Sequence, residues 1–143
     1  MVGVTSPGTT ARSLPLILAR ELASNLATPM FLLDSEGTLV YFNDAAALLL
    51  GKTFAEVGEI SSLEFAASLK VSTLDHVPLR GRDTPSGIAF FQHKPAHLHV
   101  LASSYDGIRR AYEATSYPLL GATGEMHGVV VVFWPVESTD GAD

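Results

Sequence analysis

The stretch from Pro29 to Gly51 narrows the folds open to this chain more than any other. It begins with the apolar run Pro29-Met-Phe-Leu-Leu-Asp34 and turns at Asp34-Ser-Glu-Gly37. An alternating segment, Gly37-Thr-Leu-Val-Tyr-Phe42, leads to Asn43 and then to Asp-Ala-Ala-Ala-Leu-Leu-Leu-Gly51. Short apolar and alternating runs bounded by turn residues read as strands near Met30 to Leu33 and Thr38 to Phe42. Asn43 is placed to cap a helix over Ala45 to Leu50, and Gly51 supplies the left-handed residue that ends it. The order is strand, tight turn, strand, capped helix.

Further along, Thr53-x-x-Glu56 and Ser61-x-x-Glu64 are capping-box patterns, which predict short helices near Phe54 to Val57 and Leu63 to Leu69. Helices this short need tertiary burial, here through Phe54, Val57, Phe65 and Leu69. From Lys70 to Asp83 no period holds, and an irregular loop is expected. Thr84-Pro85 then opens a helix through Ile88, Phe91 and Gln92 that Lys94-Pro95 stops, with Gly87 weakening it slightly. His97 to Ser103 alternates as a strand, and Tyr105-Asp106-Gly107 signals a hairpin. Two more apolar segments, Arg110 to Leu119 and His127 to Trp134, are joined by the Gly121-Ala-Thr-Gly-Glu125 turn. The last of these is apolar on consecutive residues, so both of its faces should be covered.

These features together resemble a PAS domain, the small sensor and interaction module of signalling proteins. The opening strand-turn-strand-helix looks like the family's start, and the valine-rich last segment looks like its carboxy-terminal hairpin. The resemblance implies an α+β PAS fold: a five-stranded antiparallel sheet with short helices on one face and an amino-terminal flanking helix. The expected organisation is a flexible leader over 1–12, the flanking helix over 13–26, the PAS domain over 27–137 and a flexible tail over 138–143. Where many PAS domains close with Asp-x-Thr, this chain has Trp134-Pro-Val-Glu137. That leaves open an effector protein in trans or one in a longer parent chain.

The flanking helix carries Leu14, Leu18, Leu22 and Leu26 on one stripe, with Ser13 as cap and Pro15 in the first turn. The stripe serves either to dock the helix on its own sheet or to pack against a second copy. Helices flanking PAS domains often serve in dimers, so the resemblance implies a homodimer with these leucines as its interface. Aromatic and aliphatic side chains fall on the elements that surround the PAS ligand cavity. The candidate lining residues are Phe31, Tyr41, Phe42, Phe54, Phe65, Ile88, Phe91 and Phe133, with Phe90 beside them. Core packing accounts for any one of these; as a set they suggest a pocket for an apolar small molecule.

Composition removes several alternatives. With 143 residues, 47% hydrophobic, the chain has length for one domain with a substantial core. Fifteen acidic against nine basic residues give a formal charge of -6, which opposes phosphate binding, so nucleic acid is not expected. No run approaches the roughly 18 apolar residues of a membrane span, and no secretory signal opens the chain; no membrane association and a cytoplasmic location are expected. The absence of cysteine excludes both the flavin-cysteinyl adduct of light-oxygen-voltage domains and a thioester-linked chromophore.

No cofactor is required by the sequence and no metal site is assigned. His93, His97 and His99 cluster where some PAS domains supply a haem ligand, which makes a haem- or flavin-carrying sensor the alternative. No carboxylate lies near them in sequence to orient their rings. No nucleophile elbow, phosphate loop or zinc-protease motif occurs, so no enzyme is expected. From that other class, a small enzyme with an apolar substrate pocket is the remaining alternative. The expected function is a sensory or regulatory domain that binds an apolar ligand, a protein partner, or both, and dimerises.

Overall fold

A computed structural model of the chain describes residues 13–136; the expected leader and the tail lie outside the described residues. Ser13 caps the first helix, α1 (Leu14–Ser24), by accepting from the Leu16 amide at 3.4 Å. β1 (Met30–Asp34) and β2 (Thr38–Phe42) follow, turned by Asp34, whose carboxylate accepts from the Glu36 and Thr38 amides at 2.9 and 3.0 Å. Gly37 completes this turn with φ 83°, a value that glycine adopts without a side-chain clash. Then come α2 (Asp44–Leu50), α3 (Phe54–Val57), β3 (Ile60–Ser61) and α4 (Ser62–Ser68). A 3-10 turn at Gly81–Asp83 leads into α5 (Pro85–Gln92), β4 (Ala96–Ser103), β5 (Arg109–Leu120) and β6 (Met126–Pro135).

The caps form as the sequence implies. Thr53 and Glu56 make the full reciprocal box, Ser61 accepts from the Glu64 amide at 3.1 Å, and Thr84 accepts from the Gly87 amide at 3.0 Å. All strand pairs are antiparallel, in the order β3-β2-β1-β6-β5-β4. The sheet therefore has six strands, where five were expected. The extra strand is the two-residue β3, which pairs with Thr38 and Leu39 and is too short to leave a period in the sequence.

The expected loop is also more ordered than its composition suggests. Ser72 exchanges both backbone hydrogen bonds with Leu101 at 2.9 Å, and the Ser103 amide donates to the Leu69 carbonyl at 2.7 Å. The segment after α4 thus covers part of the β4 edge, which would otherwise present unpaired amides.

Two apolar clusters divide the sheet's faces. The larger one gathers Leu33, Leu39, Phe42, Val100, Tyr112, Ala114, Val129, Val131 and Phe133 with Ala46, Leu50, Phe65, Leu69 and Ala89 of the helices. The smaller one, on the opposite face, joins Leu16 of α1 to Leu32 and Val40, with Tyr41, Leu119 and Val130 beside them. This accounts for the continuous valines of β6: Val129 and Val131 face the helices, while Val130 lies in the α1 cluster. A bulge where β1 meets β2 lets Val40 and Tyr41 both lie toward the α1 side.

Candidate functional site

The helices meet the sheet around a cavity of about 80 Å³. Ser61 starts α4 so that Phe65 and Leu69 hang over the sheet, and both are buried. On the other side α5 is pinned at its start, because the buried Ser116 hydroxyl of β5 donates to the Pro85 carbonyl at 2.6 Å. Between them lie Phe31 of β1, Val100 and Ala102 of β4, Tyr112 and Ala114 of β5, and Val131 and Phe133 of β6. Phe31 meets Phe65 edge-on at 5.2 Å and Phe133 at 6.0 Å, and Phe133 meets Tyr112 at 5.8 Å. These rings fix one wall by shape.

The lining includes no charged side chain, and most of its hydroxyls are engaged. Thr84 caps α5 and shares its hydroxyl with Ser86. Ser103 accepts from the Arg109 guanidinium at 2.9 Å. Ser104 donates to the Asp106 carboxylate, and that hydroxyl hydrogen bond is the main cause holding the Asp106 carboxyl below its usual range. The interior can therefore receive an apolar group, with little to compensate a charge.

Of the residues singled out from sequence, Phe31, Phe65 and Phe133 line this cavity. Five others lie elsewhere. Phe42 is fully buried beneath Phe54 and Phe65 in the core. Phe54 sits at the β2 side against Tyr41 and Phe42. Tyr41 faces the α1 side under the Arg20 guanidinium, 4.5 Å from its ring centre. Ile88 is half-buried on α5 outside the lining, with Phe90 packed against Phe91 and near Gly37. Phe91 is 54% exposed, with the Arg82 guanidinium 4.7 Å from its ring centre.

Sequence reasoning favoured aromatics and missed the small residues. Ala66, Ala102 and Ala114 make the space by failing to fill it. Alternation with Tyr112 and Ser116 places Ala114 on the inward face of β5 and was the available signal.

The three histidines considered as haem ligands do not reach the cavity. His93 ends α5 in a left-handed conformation, φ 55°, and is exposed. His97 and His99 stand exposed on β4, on the face opposite to Val100. A cavity of about 80 Å³ with no histidine in its lining does not fit haem. The stripe leucines are likewise outward: Leu14, Leu18 and Leu22 of α1 are 65, 58 and 58% exposed, and Leu26, which lies beyond the helix end at Ser24 rather than within it as expected, is 40% exposed, while Leu16 and Ala23 dock the helix.

Comparisons with known proteins agree with this architecture. The PAS fold family matches residues 18–66. The PAS domain of BvgS from Bordetella pertussis is 16% identical with a TM-score of 0.60, over 89% of this chain and 90% of that one. The PAS domain of the fruit-fly ELK potassium channel gives 12% identity and a TM-score of 0.66, over 89% of this chain and 100% of that one. A light-oxygen-voltage domain studied with a flavin analogue gives 14% and 0.63, over 89% and 88%. No curated protein sequence matches. The strand order, α2 to α5 gathered on one face and these likenesses lead to one conclusion: the chain has the PAS fold.

Proposed function

We propose that this domain is a sensory or regulatory module that takes a small apolar molecule between α4, α5 and the sheet and associates through α1. The observation that carries the reading is the cavity. It is bounded by short helices, lined by apolar atoms, and about 80 Å³ in volume, room for a handful of waters or one small organic molecule. A buried apolar space with aromatic walls gains free energy when a solute of matching shape displaces water from it or fills void. Turnover is not part of the reading, because most of the lining hydroxyls are engaged in hydrogen bonds of the fold and no acid-base pair faces the interior among the described residues. A flavin-cysteinyl adduct is not part of the reading either, because the chain has no cysteine. Among the described residues no helix is long and apolar enough to cross a membrane.

Filling the space tests the reading. Small aromatic solutes such as indole or toluene should raise the melting temperature of the wild-type chain, since a ligand bound only to the folded state stabilises it by mass action. Ala114→Leu and Ala102→Leu, which put three carbons each into the cavity, should fold and lose that response. A response that survives both substitutions places the ligand elsewhere and overturns the proposal.

A further inference from the structure

On the solvent side of the sheet, β4 and β5 bring together three groups that the sequence keeps apart. His99 pairs directly with Glu113, and His97 with Thr115. Residues two apart on a strand share a face, so both imidazoles stand over Glu113. Glu113 Oε1 lies 2.8 Å from His97 Nε2 and 3.6 Å from His99 Nε2. The three donor atoms fall within 4.8 Å of one another. The other nitrogen of His97, Nδ1, lies 2.5 Å from Thr115 Oγ1, which fixes the ring with Nε2 turned to the carboxylate.

We propose that His97, His99 and Glu113 form a binding site for a divalent transition-metal ion of the zinc type. Two imidazole nitrogens and one carboxylate oxygen are a zinc donor set that leaves a fourth position open, and they do not suit calcium or magnesium, which take oxygens. Bonds of roughly 2.0–2.2 Å around a tetrahedral ion place its donor atoms about 3.3–3.6 Å apart. The two histidine-to-carboxylate distances bracket that range. His97 is held in place, and His99 closes on the ion by side-chain rotation, which is open to it because its side chain is 49% exposed. Thr115 acts as the outer partner that holds a liganding histidine in one orientation. An ion bound at His97 Nε2 needs the lone pair of that nitrogen, so the ring takes the tautomer protonated at Nδ1, which donates to Thr115 Oγ1.

The site carries its own reporter. Trp134, the chain's one tryptophan, pairs with Glu113 across β5 and β6, and its ring centre is 6.2 Å from that of His97. Calorimetric titration of the full chain with zinc chloride in a non-coordinating buffer should show one ion per chain. Copper(II), which is paramagnetic, should quench Trp134 fluorescence over the same range. His99→Ala and Glu113→Gln should each weaken zinc binding tenfold or more, and His99→Ala should do so without altering the melting temperature of the metal-free protein, since its side chain is 49% exposed. His76→Ala and His93→Ala serve as controls and should change nothing. Absence of saturable zinc binding overturns the proposal, as does unchanged affinity in either His99→Ala or Glu113→Gln, or an equal loss in the controls.

Discussion

Asn43 does more than cap a helix. Its Oδ1 accepts from the Ala46 amide at 3.0 Å, which is the cap, and from the Met30 amide at 3.1 Å, which opens β1. Its Nδ2 donates to the carbonyls of Ala23 and Thr28 at 3.0 and 2.8 Å, with Leu26 at 3.4 Å. One side chain, 1% exposed, thus ties the end of α1, the link to β1 and the start of α2. Loss of a cap alone costs about 1 kcal/mol. Asn43→Ala also takes the side-chain partner from the Met30 amide and the Thr28 carbonyl, so the expected loss is about 2–4 kcal/mol. Asn43→Asp keeps both acceptor roles and loses the donor, and should free the end of α1 while α2 remains capped. Denaturant unfolding measures the first, and hydrogen exchange at Ala46 against the α1 amides measures the second. A loss near 1 kcal/mol for Asn43→Ala would mean that only the cap matters.

Among the elements, α5 shows where propensity misleads. Glycine inside a helix costs about 1 kcal/mol relative to alanine, so Gly87→Ala is stabilising by that rule alone. In the structure a Cβ at Gly87 would overlap the Gly81 carbonyl oxygen and crowd the Arg82 backbone, because α5 packs directly on the preceding 3-10 turn. Overpacking costs about 1–3 kcal/mol and outweighs the propensity gain, so Gly87→Ala should lower the melting temperature. The β5-β6 turn gives a pH test. The Thr123 hydroxyl, then the Glu125 backbone amide, push the Glu125 carboxyl down to about 2. A depressed carboxyl stabilises the fold above its unfolded-state value and loses that contribution as pH falls toward 2. The melting difference between wild type and Glu125→Gln should therefore be greatest near pH 6 and vanish near pH 2. The same elements show what was legible in the sequence. Caps at Ser13, Asn43, Thr53, Ser61 and Thr84 are local chemistry and could be read directly. The two-residue β3, the bulge at β2, the cavity made by Ala66, Ala102 and Ala114, and the meeting of His97 with Glu113 depend on neighbours distant in sequence, so no local pattern encodes them.

For the whole molecule, the question is what covers the outer surface. α1 docks through Leu16 and Ala23 over Leu32, Val40 and Val130, so docking leaves the leucine stripe unused. Ile17 beside the stripe is 45% exposed, and on the sheet Tyr117 and Trp134 are 47 and 38% exposed. The association proposed for α1 would use this stripe, and a two-fold pair of identical stripes is its simplest complement, because each copy meets its own kind. Deleting α1 is a poor test of this. It would uncover Leu32 and Val130 and remove the Ala23 carbonyl that Asn43 holds, so the fold would fail together with any interface. Leu18→Glu with Leu22→Glu is better, since both side chains are 58% exposed and their loss leaves the docking contacts intact. Light scattering should show a dimer for the wild type and a monomer for the double variant, with a melting temperature for the variant's monomer close to that of the wild type at high dilution. A wild-type chain that is monomeric at micromolar concentration, or a double variant that remains dimeric, would remove α1 from the interface.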